Sequence, residues 1–148
     1  MHSRWSMLGV AGVVAVEASG NGTWIESPVQ ADPSYLGNSI PITLPIIIGV
    51  QVFIMAFVEQ QRSSQTDPVM RMYPGGAFDP AGLSKGADFE QLKRKEIANG
   101  RVAMLAFAGI IGAAQANNNE GPVASLTRHL ADPWHVNVAD NAAAVPYL

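Results

Sequence analysis

Two short stretches place the same chemistry in the same frame: His2-Ser3-Arg4-Trp5-Ser6-Met7-Leu8 and Asn99-Gly100-Arg101-Val102-Ala103-Met104-Leu105. Each sets an arginine into an otherwise apolar helical run. Each also puts a side chain able to ligate a metal, an imidazole or an amide, two positions before it. An arginine at the centre of a membrane helix costs about 3 kcal/mol or more unless a counter-charge meets it, so its presence points to function. Two such insertions in matching frames read as one helical unit used twice.

The second stretch extends upstream to E-x-x-N-x-R: Glu96, Asn99 and Arg101. Glu96 and Asn99 share a helix face at i, i+3, whereas Arg101 lies five residues from Glu96 and points elsewhere. The repeat therefore pairs Glu96 with Arg4 across two crossed helices. By the same frame Arg101 needs a carboxylate three residues before His2, upstream of Met1. Reciprocal Glu–Arg pairs would neutralise four charges and hold two helices in register. A carboxylate neutralised in this way keeps an oxygen free. His2, Asn99 and Glu96 then each offer one donor to a hard divalent cation. They are scattered single donors, not the three or four converging ligands that a catalytic metal requires. Single axial donors suit a metal that already has four equatorial ligands, as the magnesium of chlorophyll does.

The elements that must carry these residues are membrane elements. Of 148 residues, 48% are hydrophobic and 14% charged, against about a quarter charged in a typical soluble domain. The absence of cysteine rules out disulfides, thiolate metal sites and thiol nucleophiles. No nucleophile–base arrangement, phosphate loop or nucleic-acid signature is present, so no enzymatic turnover is expected. Ile40 to Val58 carries no charge, with Thr43 and Gln51 its only polar side chains, and its length matches a hydrocarbon core of ~30 Å. Pro41 and Pro45 fall in its first turns, where a missing N–H costs least. The run Met1 to Val16 makes only ~24 Å of helix. No signal or transit-peptide pattern opens the chain, which predicts that Met1 is not the biological start.

The pattern predicts one domain over 1–148, truncated at its N-terminus. It is an all-α integral membrane fold with three transmembrane helices at 1–18, 40–62 and 88–116. The first and third are crossed as a pseudo-two-fold pair. After Gly121-Pro122, a short amphipathic helix at 123–131 lies on the membrane surface. Arg62, Arg71, Lys85, Lys93, Arg94 and Lys95 lie in the stretch that joins the second and third spans or at their facing ends, whereas 18–39 holds Glu26 and Asp32 and no basic residue. The positive-inside rule places 62–95 on the cytoplasm-equivalent side and the C-terminus opposite. The run Lys93–Lys95 is read as a solvated, orientation-setting cluster, and Met7 and Met104 as packing residues.

Taken in order, the motifs resemble the chlorophyll a/b-binding light-harvesting proteins of the thylakoid membrane. The likeness is carried by His2–Leu8, the helix end Gln51–Arg62, the loop Tyr73-Pro74-Gly75-Gly76-Ala77-Phe78-Asp79-Pro80, the stretch Lys95–Arg101 and the tail His129-Leu130-Ala131-Asp132-Pro133. The resemblance implies axial chlorophyll ligands at His2, Asn99, Glu59, His129 and Glu96, the last paired with Arg4. Glu59 also has a plainer reading, a helix-end charge paired with Arg62 at i, i+3. A glutamine ligand is implied fourteen residues after Asn99, where Ala113 stands, with Gln115 two positions on. That pigment would be held by a shifted helix end, bound through water, or lost. Gln51 would donate to a pigment carbonyl or a bound water. Phe78, Asp79, Ala81 and Leu83 would receive the polar end ring of a carotenoid.

The implied cofactors are chlorophyll a, chlorophyll b and carotenoids of the lutein or xanthophyll type, with β-carotene and bound lipid as further candidates. The tail through Trp134-His135, the later Asn141 and Val145-Pro146-Tyr147, and Ala56–Arg62 resemble the photosystem I antenna branch. That implies photosystem I core subunits, neighbouring antenna proteins and membrane lipid as partners, and no nucleic acid. His2, where some members carry asparagine, argues against the red-shifted variant. The expected location is the chloroplast thylakoid membrane, multi-pass, with 62–95 stromal and the C-terminus lumenal. Two alternatives are a photoprotective relative that dissipates energy as heat and a pigment-free structural or assembly subunit. A cluster of lumenal carboxylates would favour the first, and the tail offers only Glu120, Asp132 and Asp140.

Overall fold

A computed structural model describes residues 1–20, 22–30, 34–35, 38–39 and 42–139. The described chain is helical: α1 His2–Ala18, α2 Ser27–Gln30, α3 Leu44–Ser63, α4 Pro68–Met72, α5 Phe89–Ala116 and α6 Pro122–Ala131. Single 3-10 turns cover Gly76–Phe78 and Leu83–Lys85. The one extended feature described is a two-residue antiparallel pairing, Ser34 opposite Ser39 and Tyr35 opposite Asn38. The contacts fall into two compact units. One is Ala31–Glu96 with Met1, and the other joins His2–Gln30 to Ile97–Leu148.

In the first unit, α3 opens after an extended Thr43, with Pro45 in the first turn where an amide hydrogen would go unused. Pro41 lies outside the described residues. α3 has 20 residues and α5 has 28, each with a window of mean hydropathy 1.5, so both are long and apolar enough to cross a membrane. α1, at 17 residues, spans ~26 Å. No residue of α3 is buried, and Phe53 is 77% exposed.

The second unit has little core of its own. Among the described residues, the buried apolar side chains are Val13 at 6%, Ala103 at 9% and Ala114 at 2% exposure. A helical chain so apolar and so uncovered needs lipid or bound apolar groups around it. α1 and α5 meet through small residues: a Cβ added at Gly100 would lie 2.4 Å from the Cβ of Ser3, and one at Gly9 would lie 3.0 Å from the Phe107 ring. Ser3 precedes Gly9 and Gly100 precedes Phe107, so the two helices run in the same direction. Glycine permits this close approach, as in small-residue membrane interfaces. Asn118 and Asn119 end α5 in the left-handed region at φ 53° and 65°, and Asn119 N–H returns to the Ala114 carbonyl at 2.7 Å.

Candidate functional site

The repeated motif is now a geometric feature. Ser3 and Gly100, the residues between donor and arginine in each copy, touch each other. His2 and Asn99 sit one position before that contact. Both are exposed, and neither side chain makes a hydrogen bond within the protein among the described residues. They are free single donors on neighbouring helices. Arg101 is exposed and forms no ion pair among the described residues. Arg4 is half-buried.

His129, on α6, has one ring nitrogen engaged by a backbone carbonyl. Its Nδ1 lies within hydrogen-bond reach of the Val136 carbonyl. A carbonyl only accepts, so Nδ1 carries the hydrogen and Nε2 keeps its lone pair, the arrangement usual behind metal-ligating histidines. Beside the ring lie two adjoining open depressions of about 390 and 430 Å³, with Ala113, Ser125 and His129 common to both. Ala106, Gly109, Ile110, Pro122 and Leu126 give the smaller a mostly apolar wall. A donor set in such a wall fits a large flat apolar group held through one metal. Ala113 contributes only a methyl group, and Gln115 is exposed.

In the other unit, Glu59 and Arg62 form a forked pair. Arg62 Nη2 and Nε reach Oε2 at 2.6 and 3.0 Å, and Nε reaches Oε1 at 3.1 Å. This is the pairing weighed above as the plainer reading of Glu59. A carboxylate so neutralised still has lone pairs for a metal. Gln51 is exposed in the middle of α3 with no side-chain hydrogen bond among the described residues.

Glu96 is half-buried and accepts from the Tyr73 hydroxyl at 2.8 Å. The Tyr73 ring meets Phe89 edge to face at 5.6 Å. Lys93 lies over both rings, 4.3 Å from the Phe89 centroid and 5.2 Å from that of Tyr73, and pairs with Glu90 at 2.8 Å. Lys93 is therefore part of an aromatic cluster that orients Glu96, not the merely solvated charge expected from sequence. Replacing Tyr73 with phenylalanine keeps the ring and removes the hydroxyl. The expected cost is about 1.5–3 kcal/mol, since the bond is to a charged group. That cost corresponds to a fall in Tm of roughly 3–10 °C, with the ring contacts intact. An unchanged Tm would mean that the hydroxyl does not support Glu96.

The Phe78–Leu83 loop folds around Asp79. Its carboxylate accepts the amides of Leu83 at 3.0 Å and Ser84 at 2.8 Å together with the Ser84 hydroxyl, and its carbonyl accepts from Gly82 at 3.1 Å. The Ser84 hydroxyl first, then the Ser84 amide, hold the Asp79 carboxyl below its ordinary value. Asp79 thus commits its side chain to its own turn. It leaves Phe78, 82% exposed, with Ala81 and Leu83 as the open surface of the loop. Because the folded value is depressed, the bonds stabilise fully above the ordinary aspartate range near ~4 and are lost as pH falls through the lower folded value. Protection of the Leu83 and Ser84 amides, relative to their intrinsic exchange at each pH, should persist from neutral pH to that range and be lost only below it. Loss of protection already at mildly acidic pH would contradict the assignment.

One contact had no sequence signal. Glu17, in the last turn of α1, accepts the amides of Val123 at 2.8 Å and Ala124 at 2.7 Å at the start of α6.

A family model described as chlorophyll A-B binding protein matches residues 1–115. Chlorophyll a-b binding protein 1B-21 of Hordeum vulgare is 49% identical over 146 residues, covering 94% of this chain and 60% of that protein. Chlorophyll a-b binding protein 6 of Arabidopsis thaliana is 47% identical over 147 residues, covering 95% of this chain and 61% of its own length. Chlorophyll a-b binding protein CP29.3 of Arabidopsis thaliana is 39% identical over 130 residues, covering 85% and 47%. The chain thus spans about three fifths of the first two relatives and about half of the third, and all three are named chloroplastic. With the family model covering the repeated motif, both apolar helices and the loop between them, the chain belongs to the chlorophyll a-b binding protein family.

Proposed function

We propose that the chain is a light-harvesting antenna subunit of the thylakoid membrane. It crosses the membrane three times, with α1 and α5 as a pseudo-two-fold pair and α6 on the lumenal surface. His2, Asn99, Glu59, His129 and Glu96 serve as single axial ligands, and Arg4 neutralises Glu96. The observation that carries this reading is the Ser3–Gly100 contact flanked in matching frames by the unpartnered His2 and Asn99. Like positions of the repeat meet there, which supports a pseudo-two-fold pair, and each copy presents one exposed donor. Bound chlorophyll supplies light absorption and excitation transfer to neighbouring pigments. The protein fixes distance, angle and local field and performs no turnover.

Each residue has a share in that task. The Val136 carbonyl sets the His129 tautomer. Tyr73 orients the Glu96 carboxylate. Arg62 neutralises Glu59. The backbone of the Asp79 turn, beside Phe78, Ala81 and Leu83, receives the polar end of a xanthophyll. Gln51 meets a pigment carbonyl or water, and lipid covers the exposed face of α3. Chlorophyll a and b are both bound. The tail from His129 to His135 supports a place beside the photosystem I core and its neighbouring antennae. Basic residues from Arg62 to Lys95 support a stromal loop and a lumenal C-terminus.

A heat-dissipating relative has less support. Glu120 is paired with Arg128 at 2.7 Å and Asp132 with His135 at 3.0 Å, and Asp140 lies outside the described residues. Purification in mild detergent followed by absorption and fluorescence-lifetime spectroscopy tests the proposal. A pigmented protein with long-lived fluorescence is expected. A folded, colourless preparation would overturn it, and strongly shortened fluorescence would favour the dissipating relative.

A further inference from the structure

We propose that Glu17 is a positioning residue for the pigment site at His129, an inference that rests on the antenna reading above. The first amides of a helix have no partners within it, and its N-terminal end carries partial positive charge. α6 has no acidic residue in its own first turn, and its capping residue, Gly121, has no side chain to accept them. The acceptor comes from α1 instead. The two oxygens of Glu17 take the Val123 and Ala124 amides separately, at 2.8 and 2.7 Å.

Gly121 completes this socket. It is buried, and a Cβ there would lie 2.5 Å from the Glu17 carboxyl carbon. The missing side chain is what lets the carboxylate reach the helix end. The other side-chain hydrogen bonds that hold α6 among the described residues are local in sequence: Asn117 to Ser125 at 3.5 Å, Arg128 to Glu120 at 2.7 Å and the His129 ring to Val136. Glu17 ties the helix to α1.

His129 lies six residues beyond Val123, ~9 Å along the axis. A tilt of ~10° about the capped end would carry the imidazole ~1.5 Å. A magnesium–ligand bond of ~2 Å tolerates far less. Loss of the cap should therefore empty or distort the site at His129 and spare the donors at His2 and Asn99.

The test is assembly of the whole chain with chlorophyll a, chlorophyll b and xanthophylls. His129→Leu first identifies the pigment and absorption component that depend on His129. Glu17→Ala should then lose or shift at least half of that same component and leave the Asn99-dependent one in place. Glu17→Asp should recover part of it. In the Glu17→Ala protein the Val123 and Ala124 amides should exchange at least tenfold faster, a readout independent of pigment. Should Glu17→Ala fail to assemble, Glu17→Gln, which keeps one acceptor oxygen, should give the same selective change at smaller size. An intact His129 component, an even loss of all components, or unchanged exchange overturns the role of Glu17. Full pigment retention in His129→Leu instead overturns the antenna reading at His129, and the positioning role with it.

Discussion

Refolded without pigment, the chain is expected to show no cooperative thermal unfolding and no fixed near-ultraviolet circular dichroism, whereas the pigmented protein shows both. The reason lies in what is buried. Among the described residues, Val13, Ala103 and Ala114 are the buried apolar side chains, and no large side chain is fully enclosed. Side chains that small cannot offset the entropy of ordering helices, at about 1–2 kcal/mol per residue for the backbone alone. Helices that do form in detergent would have no fixed tertiary arrangement. Bound groups change this by mass action: a ligand at a thousand times its Kd stabilises the folded state by about 4 kcal/mol per site. With several such sites, pigment binding and folding become one transition. A colourless protein melting cooperatively within a few degrees of the pigmented one would refute this dependence.

Gly100→Leu is expected to abolish assembly of the α1–α5 pair, and Gly100→Ala to weaken it by about 1–3 kcal/mol through overpacking. The first added carbon already falls 2.4 Å from the Ser3 Cβ, closer than non-bonded carbons approach, so the helices must separate. Separation moves His2 and Asn99 together, so both pigments should be lost from one substitution. Gly112→Ala is the control. Nothing lies within 4 Å of a Cβ there, and the change should stay within about 1 kcal/mol. Because the contact joins like positions of the repeat, the exchange Ser3→Gly with Gly100→Ser should restore much of what Gly100→Ser alone loses. The Tm of the pigmented protein, with chlorophyll counted per polypeptide, reads all five variants. A tolerated leucine at position 100 would contradict the close approach.

These variants also separate what could be read from sequence from what could not. The three long helices, α6 and the family were legible because their causes are local or repetitive, whereas the short α2 and α4 were not expected. An uncharged run opened by Pro45 and closed by Glu59 and Arg62 makes α3. Gly121-Pro122 starts α6. Five motifs in one order carry the family. The Glu59–Arg62 pair was legible as one of two readings because i, i+3 spacing is itself local.

The partners of the charged groups were not legible. Tyr73 is 23 residues from Glu96 and Glu17 is 106 from Val123, and a carboxylate bound to backbone amides selects no residue type that could mark its target. Lys93 looked solvated because a basic run usually is. Its ammonium instead lies over the Tyr73 and Phe89 rings. The Asp79 carboxylate takes its own loop's amides, which leaves open the use of that loop's backbone implied by the resemblance.

The most direct measurement is the number of chlorophylls per polypeptide in the assembled protein, compared with His2→Leu, Asn99→Leu and the double variant. Single axial ligation at independent sites predicts a loss of about one chlorophyll in each single variant and about two in the double. An unchanged count in all three, with the protein folded, would contradict it.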